Sequence, residues 1–371
     1  MYLKTLALIN FRLCSEQEFS FLPGVNCFIG NNGSGKTNVL DGIHYLSLCK
    51  SYINPSDGQQ IQEGKDFFMI QGNFFKDQRD EQVSCTVKRN QKKQFRRNKK
   101  DYEKLSDHIG LFPVVMISPY DINLIFEGSE ERRRFLDNAL SQTDPDYLEV
   151  LIRYNRVLNQ RNSFLKQNQG SYPFDDTLLG IFDEDLSKLG TRIFEKRKEF
   201  IEVFEPLFQK HYQFMTDGAE VVDMTYESSL FEQDYSNGLS NSRSKDLLLE
   251  RTSFGIHKDD LEFFLKGMAL KRSGSQGQQK SFLIALKLAH NTYLQGKLGY
   301  KPILLLDDIF DKLDDLRVEK LMDMVIREEF GQVFVTDTNS ERMERIFKRM
   351  KHSYGRFMMQ NGQVESFENF S

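Results

Sequence analysis

Gly30-Asn31-Asn32-Gly33-Ser34-Gly35-Lys36-Thr37 is the stretch on which the reading of this chain turns. It fits the pattern G-x-x-x-x-G-K-[ST]. A compact apolar run, Val25 to Ile29, leads into Gly30, and Val39, Leu40, Ile43, Leu46 and Leu48 follow Thr37 at helical spacing. The unit is therefore strand, glycine loop, helix. Glycines let the backbone curl so that successive N–H groups face inward. The helix presents its positive end to the same spot, an arrangement that cradles phosphate. Lys36 reaches the β- and γ-phosphates of a nucleotide as a point charge, and the Thr37 hydroxyl ligates Mg²⁺ bridging them. A chance match occurs in about one chain in a hundred of this length, and the strand and helix on either side make chance a poor account. The expectation is ATP with Mg²⁺.

Working outward, the chain has 371 residues, 39 % of them apolar, enough for two domains or for one domain with a large insertion. The formal net charge is −4, so the global field does not recruit nucleic acid, and any such contact rests on local basic patches. Cys14, Cys27, Cys49 and Cys85 form no CxxC pair, which argues against zinc and gives no disulfide framework. Scattered thiols fit the cytoplasm. The apolar stretch between Lys4 and Arg12 is too short for a signal peptide and reads as a strand, and no apolar run is long enough to span a membrane.

Residues 1 to about 120 read as short strands around the glycine loop. From about 129 to 215 the pattern is helical, with Phe135, Leu136, Leu140, Leu148, Leu151, Ile152 and Leu158 spaced by threes and fours. A break at Asn168 to Pro173 precedes a second helical run from Thr177 through Phe204. Two helices of roughly 25 to 40 residues form an antiparallel hairpin, an arm of about 40–60 Å at 1.5 Å per residue. Ser236 to Ser244, rich in Asn and Ser, reads as an exposed loop. Strand-and-helix alternation resumes near 251, with a buried strand at 303–306, a helix at 316–329 and a strand at 332–336. The fold class expected is α/β: a mixed-sheet nucleotide-binding head, split in sequence at 1–125 and 251–371, with a helical arm at 126–250.

Two later segments extend the site. Ile303-Leu304-Leu305-Leu306-Asp307-Asp308 is an apolar strand delivering two acids at its carboxyl end, where ligands of α/β sheets gather. Asp307 would hold Mg²⁺ and Asp308 would polarise the attacking water. Ser273-Gly274-Ser275-Gln276-Gly277-Gln278-Gln279-Lys280 opens a helix with Phe282, Leu283, Leu286 and Leu288 on its apolar side, a second anion cradle. One γ-phosphate does not need two cradles from one subunit, so the second serves the nucleotide of a partner copy.

The order of these segments, closed by Lys312-Leu313-Asp314, resembles the ABC-type ATPases with their Walker A, signature, Walker B and D-loop. The short insertion narrows the resemblance to the RecF family within the RecF, Rad50 and SMC group. Leu8-Ile9-Asn10-Phe11-Arg12, Arg132-Arg133-Arg134-Phe135-Leu136-Asp137 and Gly255-Ile256-His257-Lys258-Asp259-Asp260-Leu261 support it. The last departs mildly from the family's GPHRDDL, with Ile256 for proline and Lys258 for arginine. The resemblance implies nucleotide contacts from Arg12, Ser275, Gln276, Gly277, Gln278 and Asp314 as well as from the glycine loop. It also implies an ATP-dependent homodimer on double- and single-stranded DNA at gaps, acting in repair, replication and the SOS response, with RecR- and RecO-like partners. Asp308 is shorter than the glutamate of transporter ATPases, so hydrolysis is expected to be slow, below about one turnover per second. The transporter switch histidine is absent: Val333-Phe334-Val335 ends in Thr336-Asp337-Thr338, which leaves the γ-phosphate sensor open.

Alternatives fit less well. A Rad50- or SMC-type structural ATPase carries far longer heptad coiled coils, a transporter subunit lacks the arm, and a small-molecule kinase has no need of the second cradle. Three smaller signals stay open. Lys88 to Lys100 holds eight Lys or Arg residues around Phe95, either a solvated basic hairpin or a DNA phosphate track. His257 with Asp259 and Asp260 reads as structural rather than metal-binding. Arg132 to Arg134 could be solvated or could touch DNA or nucleotide.

Overall fold

The computed structural model describes residues 1–54, 56–167, 176–218, 220–310, 315–326, 330–350 and 353–370. The expected break at Asn168 to Pro173 and the D-loop residue Asp314 lie outside these. In chain order the elements begin with β1 (Tyr2–Phe11), β2 (Cys14–Ser20), β3 (Val25–Ile29), α1 (Lys36–Leu48), β4 (Phe67–Lys76), β5 (Arg79–Lys88), β6 (Gln94–Arg97), β7 (Lys100–Asp101) and β8 (Val114–Ile117). Next come α2 (Asn123–Phe126), α3 (Ser129–Ser141), α4 (Pro145–Gln167), α5 (Asp176–Thr216), β9 (Val222–Glu227), α6 (Tyr235–Leu249), β10 (Asp260–Leu265), β11 (Met268–Ala269) and α7 (Leu270–Ser273). The chain closes with α8 (Gln276–Leu298), β12 (Ile303–Leu306), α9 (Asp315–Ile326), β13 (Val333–Asp337), α10 (Ser340–Met350), β14 (Tyr354–Gln360) and β15 (Gln363–Phe370).

These elements pack as two units, one of residues 1–122, 210–219 and 275–371, the other of 123–209 and 220–274. Residues 251–274, expected with the head, therefore pack in the second unit. The reason is pairing: β10 takes β9 and β11 as its antiparallel partners.

The first unit contains two six-stranded sheets. One is antiparallel in order β2-β1-β4-β5-β6-β7; the other runs β15-β14-β3-β13-β12-β8. In the second sheet β3 pairs in parallel with β13 and β14, β12 pairs in parallel with β13 and β8, and only the edge strand β15 is antiparallel. All residues of β3, β8, β12 and β13 are buried, as strands covered on both faces must be. Helix α1 contacts strands of both sheets, and twelve of its thirteen residues are buried. It is a central helix, not an amphipathic surface one. Gly42 makes the fit possible, since an added Cβ would lie 2.9 Å from a Leu8 methyl. The phenylalanine richness is spent here: Phe21 and Phe334 rings meet edge-on at 4.9 Å and Phe28 and Phe357 stack at 4.9 Å.

In the second unit α4 and α5 run antiparallel: Asp146 pairs with Arg192 near one end and Arg161 with Asp183 near the other. Helix α5 does not stop at Phe204. It continues to Thr216 through Pro206, which supplies no N–H to the carbonyl one turn earlier. The stretch Ser236 to Ser244, expected as a loop, is the middle of helix α6. Asp234 caps it by accepting from the Asn237 N–H at 2.9 Å. Its polar composition hid a narrow buried stripe of Tyr235, Leu239 and Asp246. Asp246 accepts from the buried Arg161 at 2.8 Å and from the Ser253 hydroxyl at 2.6 Å.

A second buried arginine organises the other end. Arg197 on α5 is 1 % exposed and donates to Asp137 at 2.9 Å, to Asp259 at 3.0 Å and to the Ile256 carbonyl at 2.9 Å. Arg132 forks onto Asp260 at 2.6 and 2.9 Å, and Arg133 donates to the Asp259 carbonyl. Arg134 pairs with Glu130 and Glu131 on its own helix. The Arg132–Arg134 run thus has internal partners throughout. Both ring nitrogens of His257 are engaged, with the Tyr154 hydroxyl and the Thr252 carbonyl. Among the described residues no group of three His, Cys, Asp or Glu could hold a metal, and no helix is long and apolar enough to cross a membrane.

A candidate nucleotide site at the carboxyl end of the mixed sheet

β3 ends at Ile29 and releases the glycine loop into α1. Gly33 and Gly35 take φ values of +80° and +99°, a region closed to most side chains. Space is as restrictive as torsion: an added Cβ at Gly30 would sit 2.3 Å from the Met359 carbonyl oxygen, and one at Gly35 would sit 2.9 Å from Gly362 Cα. The turn between β14 and β15 thus backs the loop, and the Gly362 N–H donates to the Ser34 carbonyl at 2.9 Å. No sequence signal announced that brace, because its partners lie at opposite ends of the chain.

Lys36 is 4 % exposed, and its ammonium folds over the loop to donate to the carbonyls of Gly30 at 2.7 Å and Asn31 at 3.0 Å. The neighbouring Ser34 hydroxyl oxygen and the Asn38 side-chain nitrogen are buried without a hydrogen-bond partner. Unsatisfied polar atoms beside a glycine cradle fit an oxygen-rich guest such as a triphosphate.

Strand β12 brings Asp307 to the same place. The Thr37 hydroxyl lies 2.9 and 3.1 Å from its two carboxylate oxygens, and the Thr336 hydroxyl of β13 donates to it at 2.9 Å. Burial pushes the Asp307 carboxyl up to about 6, and the charge of Asp308 adds to the rise. The hydroxyls of Thr336 and Thr37 and the Lys36 ammonium pull the other way. A carboxylate raised in this manner is relieved by a cation. Thr37 and Asp307 supply the hard oxygen donors that Mg²⁺ prefers, so the residues fit the group expected from the sequence. Asp308 adopts φ +44°, and its N–H is received by the Thr336 hydroxyl oxygen at 2.8 Å. Thr336 is the site residue that sequence reasoning missed. It lay in the stretch left open as the sensor, and only the pairing of β13 with β12 shows what it touches.

Arg12 lies one ion pair away. It takes φ +53°, donates to Gln60 at 2.6 Å and faces Asp41 of α1 at 3.3 Å. Asp41 is fully buried. Burial raises its carboxyl while Arg12, Ser51 and the Tyr52 and Ile53 N–H groups lower it. Arg12 is thereby tied to the helix that carries Thr37.

Ser275, Gln276, Gly277 and Gln278 open α8 in a capping box: the Ser275 hydroxyl accepts from the Gln278 N–H, and the Gln278 side chain accepts from the Ser275 N–H. Ser275 and Gln276 are exposed. Gly277 is hemmed in, since an added Cβ would lie 2.8 Å from the Arg317 guanidinium.

The basic hairpin is partly neutralised. Lys93 pairs with Asp57, Arg96 with Asp101 and Arg97 with Glu81, while Phe95 is 2 % exposed and belongs to the core. Lys88, Arg89, Lys92, Lys99 and Lys100 are exposed.

The family model of the RecF/RecN/SMC N terminal domain matches residues 2–365. The chain is 51 % identical over 354 residues to the DNA replication and repair protein RecF of Flavobacterium johnsoniae, covering 95 % of this chain and 99 % of that one. It is 47 % identical to the RecF of Parabacteroides distasonis, covering 99 % and 100 %. A solved structure of the recombination mediator protein RecF with ATP superposes with a TM-score of 0.88 at 28 % identity, covering 100 % of this chain and 98 % of that one. An Smc head superposes with a TM-score of 0.58 at 15 % identity, a likeness of fold alone.

Proposed function

The chain belongs to the RecF family, an ATP-binding branch of the mixed α/β ABC-type ATPases concerned with DNA replication and repair, and from that premise we propose that it is an ATP-operated DNA clamp. Gly30, Asn31, Asn32, Gly33, Ser34, Gly35 and Lys36 would hold the triphosphate, and Arg12, ion-paired with Asp41 of α1, would contact the nucleotide as well. Thr37 and Asp307 would hold Mg²⁺, which when bound offsets negative charge on the β- and γ-phosphates. Asp308 would orient the attacking water, and Asp314 would contact the nucleotide. Two copies would close over two nucleotides, each site completed by Ser275, Gln276, Gly277 and Gln278 of the other copy. The closed dimer would grip DNA at single-strand gaps and junctions in the cytoplasm. Slow hydrolysis would remove the shared phosphate and reopen it, and RecR- and RecO-like proteins would be its partners.

One observation carries this reading. The loop, Thr37, Asp307 and Asp308 converge, while Ser275 and Gln276 open α8 exposed and already shaped by a capping box. An exposed, pre-formed helix start of this kind suits a phosphate brought by another copy, and only an interaction that differs between two states can drive a switch. The exposed lysines and arginine of the basic hairpin are the proposed DNA phosphate contacts, each steepening the log–log salt dependence of binding by about 0.9.

The test is molecular mass by light scattering, with DNA affinity across a salt series, each with and without ATP. ATP is expected to double the mass and tighten DNA binding. Ser275→Arg is expected to bind ATP within about threefold of wild type, a difference below 1 kcal/mol, yet stay monomeric. An unchanged mass and DNA affinity with ATP would sink the clamp.

A further inference from the structure

We infer that Thr336 is a positioning residue that sets the two carboxylates of the hydrolytic site against each other through a single hydroxyl, a role that rests on the ATP-hydrolysing reading above. β13 lies parallel to β12, with Val335 opposite Leu306, so the next residue on each strand stands at the same carboxyl edge. Thr336 is fully buried there. Its hydroxyl has one proton and two lone pairs. The proton goes to Asp307 at 2.9 Å, and a lone pair accepts the Asp308 N–H at 2.8 Å. The Asp308 carboxylate is 3.5 Å from the same oxygen, too far for a second full bond.

Two constraints follow. The carboxylate of Asp307 is held in one orientation by a hydroxyl on Oδ1, the oxygen that Thr37 also reaches. The backbone at Asp308 is held at φ +44°, a left-handed conformation that non-glycine residues enter only with local support. That turn decides where the Asp308 side chain points. Thr37 also donates to Asp307, but Thr37 must face a cation when nucleotide is bound. Thr336 is not asked to do so and remains a constant support. Without it, Asp307 keeps its charge and its place in the chain but loses its fixed direction, and Asp308 loses the acceptor for its N–H.

Thr336→Val keeps the β-branched shape and deletes the hydroxyl, Thr336→Ala removes both the hydroxyl and the γ-methyl, and Thr336→Ser keeps the hydroxyl alone. With Val or Ala, single-turnover hydrolysis is expected to fall ten- to a hundredfold, the scale of one lost hydrogen bond to a charged group. The Mg²⁺ concentration giving half-maximal binding of a fluorescent ATP analogue is expected to rise severalfold. Nucleotide affinity at saturating Mg²⁺ is expected to stay within about threefold. Ser is expected to restore both readouts.

The inference is overturned if Val and Ala bind and turn over nucleotide with the wild-type Mg²⁺ requirement, or if Ser is as impaired as Val, which would make the methyl group the important part. If the wild type itself does not hydrolyse ATP, the reading of function fails at that step. The Mg²⁺ requirement for binding still decides the role of Thr336 in that case.

Discussion

Lys36→Ala is expected to weaken ATP binding by two to three orders of magnitude while the protein stays folded. The ammonium is held by the Gly30 and Asn31 carbonyls at 2.7 and 3.0 Å and is 4 % exposed. A charge kept in so small a shell acts on an incoming phosphate with little water between them. Charge-assisted hydrogen bonds of this type contribute about 1.5–3 kcal/mol each, and a lysine spanning two phosphates makes more than one. At about 1.4 kcal/mol per tenfold, that gives the stated loss. The fold is spared because both acceptors belong to the same loop. Titration of a fluorescent nucleotide, with a thermal melt as control, checks both halves. Affinity within tenfold of wild type would mean that the loop does not use Lys36 on phosphate.

Arg197→Met is expected to cost the second unit about 3–5 kcal/mol, the usual result of removing one member of a buried charge network. Asp137 and Asp259 both lean on this guanidinium, and Asp259 is only 1 % exposed. The pH dependence gives the sharper test. Burial already raises the Asp259 carboxyl above its ordinary value, against the pull of Arg197 and Tyr226. A carboxyl raised in the folded state holds more protons there than in the unfolded chain, so stability falls as pH rises through that window. Losing Arg197 raises it further and moves the window upward. The variant is therefore expected to regain part of its lost stability when pH is lowered from 7 to 5. Urea unfolding at the two pH values measures it, and a deficit that does not shrink at pH 5 would show that lost packing, not stranded charge, is the damage.

The two segments that identify the site were legible because their chemistry is local. Gly30 to Thr37 needs its glycines, lysine and threonine in consecutive places, and Ile303 to Asp308 writes a buried strand and its acidic end in six letters. Thr336 was not legible: a threonine after Val333-Phe334-Val335 has many uses, and its use is fixed by a neighbouring strand. Helix α6 was misread for a related reason. Composition reports exposure, while the stripe of Tyr235, Leu239 and Asp246 acquires meaning only from the Arg161 and Phe254 that meet it; the Phe254 ring lies 2.0 Å from where a Cβ on Gly238 would be. The boundary at 250 failed because β10 looks like any other strand until its partners are known.

The placement of β3 has a consequence for biosynthesis. This apolar strand carries the glycine loop, yet both strands that flank it, β13 and β14, come from the far end of the chain. Gln332, beside β13, is bonded to Leu3 across 329 residues. On the ribosome β3 therefore emerges with both edges open and stays so for most of translation, the condition under which an apolar strand seeks foreign partners. Pairing at such separation is also slow. Until those strands arrive, the amino end of a growing chain is open to misassociation. It also gains a safeguard, because the loop is not backed until the Asn361–Gly362 turn arrives. A product of interrupted translation would carry the full phosphate-loop motif and still lack the turn that backs it, so it is expected to bind no nucleotide.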